Sequence, residues 1–513
     1  MDRPPQPLPE RRALERARRS RDPRFDGRFF VAVTSTGIYC RPVCPAPSPR
    51  AAHVRYYASA AAAAEAGFRP CLRCRPEAAP GTPAWLGSSA VVRRALALIQ
   101  DGALDSGSVD ALAARVGIGP RHLHRLFVSH VGAPPIAVAQ TQRLHFAKRL
   151  LDETELPMTQ VALAAGYPSL RRFNAAFRDT YDRPPGALRR LRPAGAGRRS
   201  GELALRLAFR PPYDFDRLLA FLATRAVAGV ERVDATGYAR TVALDSGAAI
   251  VRVERPSTGS AGRGVAAARS LTLRVSGAPA AALFRLSADA RRVFDLAADP
   301  AVIATAFAGD PLLGPLVRRR PGLRIPGAWD AFECAVRAVL GQQVSVAAGR
   351  TLATRLVARA GTRLLNAEHG LTHLFPSPAA LATADLSGLG LTRAREEALH
   401  GLARAVVERR LDLSAGAEAV IAELRSLRGV GDWTAQYVAL RALGEPDAFP
   451  AGDLVLRKTV GGSAPLSERA LAARAASWRP WRAYAVLQLW EDAASHQASD
   501  RRSSRRRRGR STD

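Results

Sequence analysis

Four of the five cysteines in this 513-residue chain fall within 35 residues, as Cys40-x3-Cys44 and then, beyond a 26-residue loop, Cys71-x2-Cys74. Two close pairs that close one loop bring four sulfurs to a point. Four soft thiolates with no redox demand suit tetrahedral zinc, one ion per chain. The competing reading is two disulfides in a secreted domain. The opening MDRPPQPLPERRALERARRSRDPR has basic residues but no apolar run, so no secretion signal is expected. Cys334 stands alone in an apolar helical stretch, and the rest of the chain is free of cysteine. Both facts predict a reducing, cytoplasmic setting.

Charge narrows the partner. The formal net charge is +31, which favours a polyanion, nucleic acid before membrane. Only Lys148 and Lys458 among the 76 basic residues are lysines. That arginine skew reads in part as GC-rich codon usage, but the 45 acidic residues still leave a large excess. No run of 18 apolar residues occurs, so no membrane-spanning helix and no membrane partner are expected. A nucleoid-associated protein of roughly three to four domains is predicted from charge and length.

Along the chain, 1–20 reads as a disordered terminus or frayed helix. FFVAVTSTGIYC (29–40) reads as a strand or hairpin and SAAAAAEAGFRPC (59–71) as a short helix, within a cysteine domain over 21–80. Residues 79–89 and 193–201 read as linkers. The stretch between them, with a domain over 88–192, contains an internal repeat. VDALAARVGIGPRHLHRLFVSHVGAPP (109–135) matches MTQVALAAGYPSLRRFNAAFRDTYDRPP (158–185) at an offset of 49–50 residues. Each copy has a short helix, a glycine turn at Gly117 or Gly166, a second helix and a proline pair, which is helix-turn-helix geometry. Near the second helix starts stand Arg121, His122, His124 and Arg125, or Arg171, Arg172 and Asn174. Such side chains can read purine edges in a major groove; a plain helical bundle with solvated arginines is the other reading. Period-two alternation in LALRLAF, AAIVRVERP and SLTLRVSG predicts an α+β domain over 202–290. The chain is then helical over 291–495, and 496–513 reads as a basic disordered tail that adds phosphate affinity.

In the second half, LRSLRGVGDWTAQYVALRALG (424–444) sets Gly429, Val430 and Gly431 between two helices, where backbone N–H groups can approach a phosphate. About 22 residues past Gly431, FPAGDLVLRK carries Asp453. With RPGLRIPGAWDAFECAVRAVLGQQVSVAAGRTL (320–352), WRPWRAYAVLQLW (478–490) and RPPYDFDRLLAFLATRAVAGVE (210–231), this region resembles the AlkA-type 3-methyladenine DNA glycosylases II of the helix-hairpin-helix superfamily, over about 202–492. The resemblance implies hydrolysis of the N-glycosidic bond of alkylated bases flipped out of duplex DNA. Asp453 would be the catalytic carboxylate, with Trp433, Tyr437, Trp490 and Phe221 lining the base pocket. Trp433 stands where bifunctional relatives carry a Schiff-base lysine, which implies a monofunctional enzyme. No cysteine cluster follows the hairpin, so no iron–sulfur cluster is expected. Gln343 stands where a leucine wedge can occur, Gly452 where a second aspartate can, and Leu454 where a tyrosine can.

The first half, from FDGRFFVAVTSTGIYC through CLRCRPE (25–77), is similar to the N-terminal domain of Ada-type proteins, and the repeat ending FNAAFRDTYDRPPGALR is similar to AraC-type DNA-binding domains. This resemblance implies that Cys40, one of the four zinc ligands with Cys44, Cys71 and Cys74, accepts a methyl group from a DNA methyl phosphotriester. The Pro-Cys-His-Arg mark of an O6-methylguanine transferase domain is absent from the sequence.

The expected fold class is therefore multidomain, mainly α with α+β parts: a small zinc-binding α/β domain, two helix-turn-helix units, an α+β domain and an all-α helix-hairpin-helix domain. The expected partners are damaged and promoter duplex DNA, with RNA polymerase as a further partner if the first half is an activator. A DNA-binding regulator whose glycosylase half is inactive is the alternative, as is a repair enzyme merely tethered by its first half.

Overall fold

Residues 8–80, 90–105, 107–190, 203–255 and 269–508 are described in a computed structural model. Both expected linkers lie wholly or largely outside these residues. Within the segment read as a disordered terminus or frayed helix, Arg11–Arg19 forms helix α1. The reason is amphipathicity: Leu14 and Ala17 fall on one face and are buried against Phe29, Val31 and Val54. The hairpin is present as β1 (Phe30–Val33) and β2 (Ile38–Cys40), turned by Gly37. With β3 (Val54–Tyr57) and β4 (Arg69–Pro70) it forms a sheet in the order β3-β1-β2-β4, in which β2 and β4 run parallel. Helix α2 (Ala60–Glu65), capped by Ser59, covers it.

Seven helices follow: α3 (Ala90–Gln100), α4 (Val109–Arg115), α5 (Pro120–Val131), α6 (Pro135–Glu153), α7 (Met158–Ala164), α8 (Leu170–Tyr181) and α9 (Pro185–Arg190). The repeated sequence gives a repeated structure. Gly117 (φ 78°) and Gly166 (φ 75°) turn the chain between the short and long helices, a left-handed conformation that glycine adopts without a Cβ penalty. Leu96, Ile99, Leu112, Leu123, Phe127 and Val131 form one core, and Ala61 of α2 belongs to it. Burying each of the larger side chains is worth roughly 1.5–3 kcal/mol. Further bonds join the cysteine domain to these helices: Ser59 Oγ donates to the Val131 carbonyl at 2.7 Å, and Tyr39 Oη lies 2.9 Å from His145 Nε2 on α6.

The next strand, β5 (Leu203–Ala208), precedes α10 (Phe215–Arg225), then β6 (Glu231–Val233), β7 (Gly237–Leu244), β8 (Gly247–Glu254) and β9 (Ser270–Ser276). The sheet is antiparallel in the order β5-β9-β8-β7-β6. Arg149 of α6 donates to the Arg206 carbonyl at 2.7 Å, and Glu153 accepts from Arg206 N at 2.8 Å, so β5 is fastened to the helix between the two repeats.

The remaining elements are α11 (Leu283–Val293), α12 (Pro300–Phe307), α13 (Leu313–Arg319), α14 (Ala331–Leu340), α15 (Val346–Ala360), β10 (Arg363–Glu368), β11 (Leu371–His373), α16 (Pro378–Thr383), α17 (Arg393–Val407), α18 (Ala417–Ser426), α19 (Asp432–Arg441), α20 (Leu454–Gly461), α21 (Glu468–Arg474) and α22 (Arg482–Arg508). The tail expected to be disordered from 496 instead continues α22 as far as Arg508.

Contacts group the chain into two units. The first comprises 1–211, 226–299 and 361–375; the second comprises 212–225, 300–360 and 376–513. Helix α10 thus leaves its sheet for the helical unit. There Asp214 N donates to the Gly322 carbonyl at 2.8 Å and Arg337 to the Arg225 carbonyl at 2.6 Å. The β10–β11 hairpin belongs to the sheet unit, where Thr372 N donates to the Gly229 carbonyl at 2.7 Å.

The glycine turns differ in their surroundings. A Cβ at Gly166 would stand 2.7 Å from Asp105 Oδ2, and Asp105 is held by Arg143. A Cβ at Gly117 would meet nothing within 4 Å. Gly166→Ala is expected to cost about 2–4 kcal/mol and Gly117→Ala about 1 kcal/mol, read as the difference between two denaturant midpoints. Equal costs would show that the clash with Asp105 relaxes freely.

Candidate functional sites

The parallel pairing of β2 with β4 is what gathers the cysteines. Cys40 ends β2, and Cys44 follows one tight turn later, its N–H donating to the Arg41 carbonyl at 3.1 Å. Cys71 follows β4 and donates its N–H to the Tyr39 carbonyl at 3.0 Å; Cys74 comes after a second turn. All four Sγ atoms lie within 4.8 Å of one another. Tetrahedral Zn–S bonds of about 2.3 Å need sulfurs about 3.8 Å apart, so the set fits that ion. Hydrogen bonding with Cys40 is the main cause that holds the Cys44 thiol down at about 7 and Cys71 well below the usual thiol range, and the same contact pushes Cys74 up. A divalent cation removes that conflict by stabilising all four thiolates.

The four sulfurs are not equivalent. Cys74 is buried and accepts the Arg41 N–H at 3.3 Å, while Cys40, Cys44 and Cys71 are half-buried. Arg41 is itself held by an ion pair with Asp26 and by the Cys74 carbonyl at 3.2 Å.

In each repeat the second helix buries one face and offers the other. Leu123, Leu126 and Phe127 are buried on α5, whereas Arg121, His122, His124 and Arg125 are exposed. On α8, Phe173, Phe177 and Tyr181 are buried; Arg171 and Arg172 are exposed and Asn174 is half-buried. The polar side chains singled out in the sequence therefore lie off the core face.

The helical unit brings together five residues from four separate segments of the chain. Asp453 is the N-cap of α20: its Oδ1 accepts from Leu456 N at 3.0 Å, and its Oδ2 accepts from Trp433 Nε1 at 2.9 Å. It is only 8% exposed. Trp433 stacks on Tyr437, with centroids 5.2 Å apart and planes at 17°. Trp490 stands 6.2 Å from Tyr437. Phe221 is reached through Arg441, whose guanidinium lies 4.7 Å from the Phe221 centroid and donates to Tyr437 Oη at 2.6 Å. The result is an aromatic wall ending in a carboxylate. Beside it a Cβ at Gly452 would approach Glu468 Oε1 to 3.2 Å, so a second aspartate would set two carboxylates together.

Gly429 (φ 82°) and Gly431 are exposed at the α18–α19 hairpin, and Val430 is buried beneath them. A Cβ at Gly429 would press on Ala398 at 2.8 Å. Gln343 is exposed between α14 and α15 with φ 55°, a conformation that costs a non-glycine residue about 1 kcal/mol or more. The residue that sequence reasoning passed over is its neighbour Gln342. Its Nε2 donates to the Gly429 carbonyl and to Thr434 Oγ1, both at 3.0 Å, and its carbonyl accepts from Arg395 at 2.7 Å. Gln342 thus ties the Gln343 loop to the glycine hairpin. Arg441 was also passed over, although Trp433, Tyr437 and Arg441 recur every four residues on one helix face.

For the metal centre, elemental analysis of purified protein is expected to give about one zinc per chain. Cys74→Ser is expected to reduce that to near zero and to lower the melting temperature. Undiminished zinc in this variant would place the ion elsewhere.

Four family models match in succession: the metal binding domain of Ada over 13–77, a helix-turn-helix domain over 112–191, the AlkA N-terminal domain over 204–330 and the HhH-GPD superfamily of base excision DNA repair proteins over 336–483. A Mycobacterium tuberculosis protein described as a probable bifunctional transcriptional activator/DNA repair enzyme AlkA is 44% identical over 483 residues, covering 93% of this chain and 95% of that protein. DNA-3-methyladenine glycosylase 2 of Escherichia coli is 37% identical over 289 residues, 55% of this chain and 95% of its own length. The bifunctional transcriptional activator/DNA repair enzyme Ada of Escherichia coli is 39% identical over 149 residues, 29% of this chain and 40% of its own. The chain belongs to the family of bifunctional Ada/AlkA proteins, in which an Ada-type metal-binding and helix-turn-helix activator half is joined to an AlkA-type glycosylase half.

Proposed function

We propose that the second half is a monofunctional glycosylase that hydrolyses the N-glycosidic bond of alkylated bases of the 3-methyladenine and 7-methylguanine type. The observation that carries this reading is the buried Asp453 carboxylate at the end of the Trp433–Tyr437–Trp490 wall. A flipped cationic base gains from stacking on aromatic faces. As the C1′–N bond breaks, positive charge grows on the sugar, and a nearby carboxylate stabilises it electrostatically. The same group accepts a proton from the attacking water. Gly429 and Gly431 offer a side-chain-free surface for the backbone phosphate, and Gln343 fills the gap left in the base stack.

The first half is read as a sensor that governs transcription. Zinc, when bound, keeps the cysteine sulfurs as thiolates at neutral pH. By its match to the Ada-type domain, the Cys40 sulfur attacks the methyl carbon of a phosphotriester; the C–O bond breaks and an ordinary phosphodiester anion leaves. The thiolate becomes a neutral thioether. Loss of one negative charge near DNA lowers repulsion of phosphates and raises affinity for a promoter held by Arg121, His122, Arg125, Arg171, Arg172 and Asn174. RNA polymerase is the partner that an activator of this kind would recruit.

Two measurements test the halves separately. Asp453→Asn is expected to lower release of methylated base from alkylated duplex DNA by about 10²-fold or more, with no strand nicking by either protein. Equal release by mutant and wild type would sink the mechanism. After incubation with DNA carrying methyl phosphotriesters, peptide mass spectrometry is expected to find one added CH2 on Cys40. An unmodified Cys40 in zinc-loaded protein would leave the domain a structural module.

A further inference from the structure

The segment Asp26-Gly27-Arg28 of the cysteine domain is held by side chains from another domain. It lies within the Ada-type match, whereas Arg210 and Asp299 lie within the match to the AlkA N-terminal domain. All belong to the first compact unit. Arg210 is fully buried. Its Nε donates to the Asp26 carbonyl at 2.9 Å, and its other nitrogens donate to the carbonyls of Ala297 at 2.7 Å and Pro80 at 3.5 Å. Gly27 adopts φ 73°, and a Cβ there would collide with the Pro80 oxygen and stand 3.0 Å from an Arg210 nitrogen. Only glycine lets the backbone pass this close. Arg28 pairs with the buried carboxylate of Asp299 at 3.1 Å.

The same segment reaches the metal centre. The Asp26 carboxylate accepts from Arg41 Nε at 2.8 Å and forms a close ion pair with Nη2. Arg41 Nη1 donates to the Cys74 carbonyl at 3.2 Å, and the Arg41 main-chain N–H donates to Cys74 Sγ at 3.3 Å. Arg41 thus stands between two of the four cysteines, Cys40 and Cys44, and bonds a third. An N–H aimed at a metal-bound thiolate draws charge from the sulfur, and a guanidinium beside four thiolates offsets part of their negative charge. Both effects need Arg41 fixed in place. Asp26 fixes it, and Arg210 fixes the Asp26 main chain. The side chains of Asp26 and Arg41 are only 8% and 12% exposed, so water does little to weaken this route.

We propose that Arg210, supplied by the AlkA-type domain, is a positioning residue for the zinc centre, and that the metal affinity of the sensor half depends on it. The proposal rests on the zinc reading of the four cysteines. The two halves are then not independent modules on one chain, because part of the scaffold of the metal site comes from the repair half.

The test uses full-length, zinc-loaded protein in competition with a chromogenic zinc chelator. Arg210→Met keeps most of the buried bulk and removes every donor. It is expected to weaken zinc binding about tenfold, as loss of a partner that orients a metal ligand does. Arg210→Lys keeps the charge but not the planar fork, and is expected to lose less, about threefold. Phe284→Ala is the control. It removes a ring that packs on Phe146 of α6 at 4.8 Å, and so loosens the AlkA-type domain from the repeat helices away from Asp26. Its zinc affinity is expected to stay within about twofold of wild type. The absorption bands of the cobalt-substituted protein, which report the geometry of the sulfur set, are expected to shift in Arg210→Met and not in Phe284→Ala. If Arg210→Met does not fold, Asp299→Asn carries the test, with a loss of about threefold through release of Arg28. Unchanged zinc affinity in Arg210→Met overturns the proposal and leaves the zinc reading standing. An equal loss in Phe284→Ala also overturns it, because general undocking would then explain both. Wild-type protein that binds no zinc overturns the proposal and the zinc reading together.

Discussion

Buried guanidinium groups that donate to main-chain carbonyls hold much of this chain in place. Arg210, fully buried, donates to the carbonyls of Asp26 at 2.9 Å and Ala297 at 2.7 Å, tying the cysteine domain to the sheet's flank. Arg149 fastens α6 to β5 in the same way. In the helical unit, buried Arg324 holds the Pro212 carbonyl, and the half-buried Arg337 and Arg395 hold the Arg225 and Gln342 carbonyls. Hydrogen bonds to a charged group are worth roughly 1.5–3 kcal/mol each, and a planar fork can serve two carbonyls at once. Part of the arginine excess is therefore internal scaffolding, and the net charge overstates what is offered to DNA.

Other contacts join the cysteine domain to the repeat helices. The cysteine domain is not a bead on a string, since Ala61 lies in the core of the repeat helices and Ser59 bonds to the end of α5. Tyr39, next to the cysteine read as the methyl acceptor, meets His145 on α6. Burial holds His145 near 4, so the ring is neutral at physiological pH and the contact is an uncharged hydrogen bond. Arg75 at the second cysteine pair reaches Asp152 at 3.0 Å and Glu153 at 3.3 Å on the same helix. The metal centre is thus anchored at both ends to one long helix.

In the helical unit, one helix face organises the chemistry. Trp433, Tyr437 and Arg441 succeed one another along α19, and each has a different task. The Trp433 indole N–H holds Asp453, the Tyr437 ring carries the stack, and Arg441 locks Tyr437 and Phe221. The glycine hairpin opens this same helix, so the hairpin and the aromatic wall are set by one rigid element.

Much of this was legible in the sequence. The cysteine spacing, the repeat with its two glycine turns, and the hairpin followed by Asp453 depend on local chain geometry, which short-range residue patterns determine. The helix at Arg11–Arg19 was obscured by its charge, because its small buried face is defined only by the sheet that it covers. The continuation of α22 to Arg508 was obscured likewise by a basic composition that also suits a disordered arm. Tertiary structure alone decided that α10 belongs with the helical unit, that Gln342 ties the Gln343 loop to the hairpin, and that buried Arg441 bonds Tyr437 and the Gly327 carbonyl. Those facts rest on contacts between segments far apart in the chain, and no periodicity records which distant carbonyl a guanidinium will find.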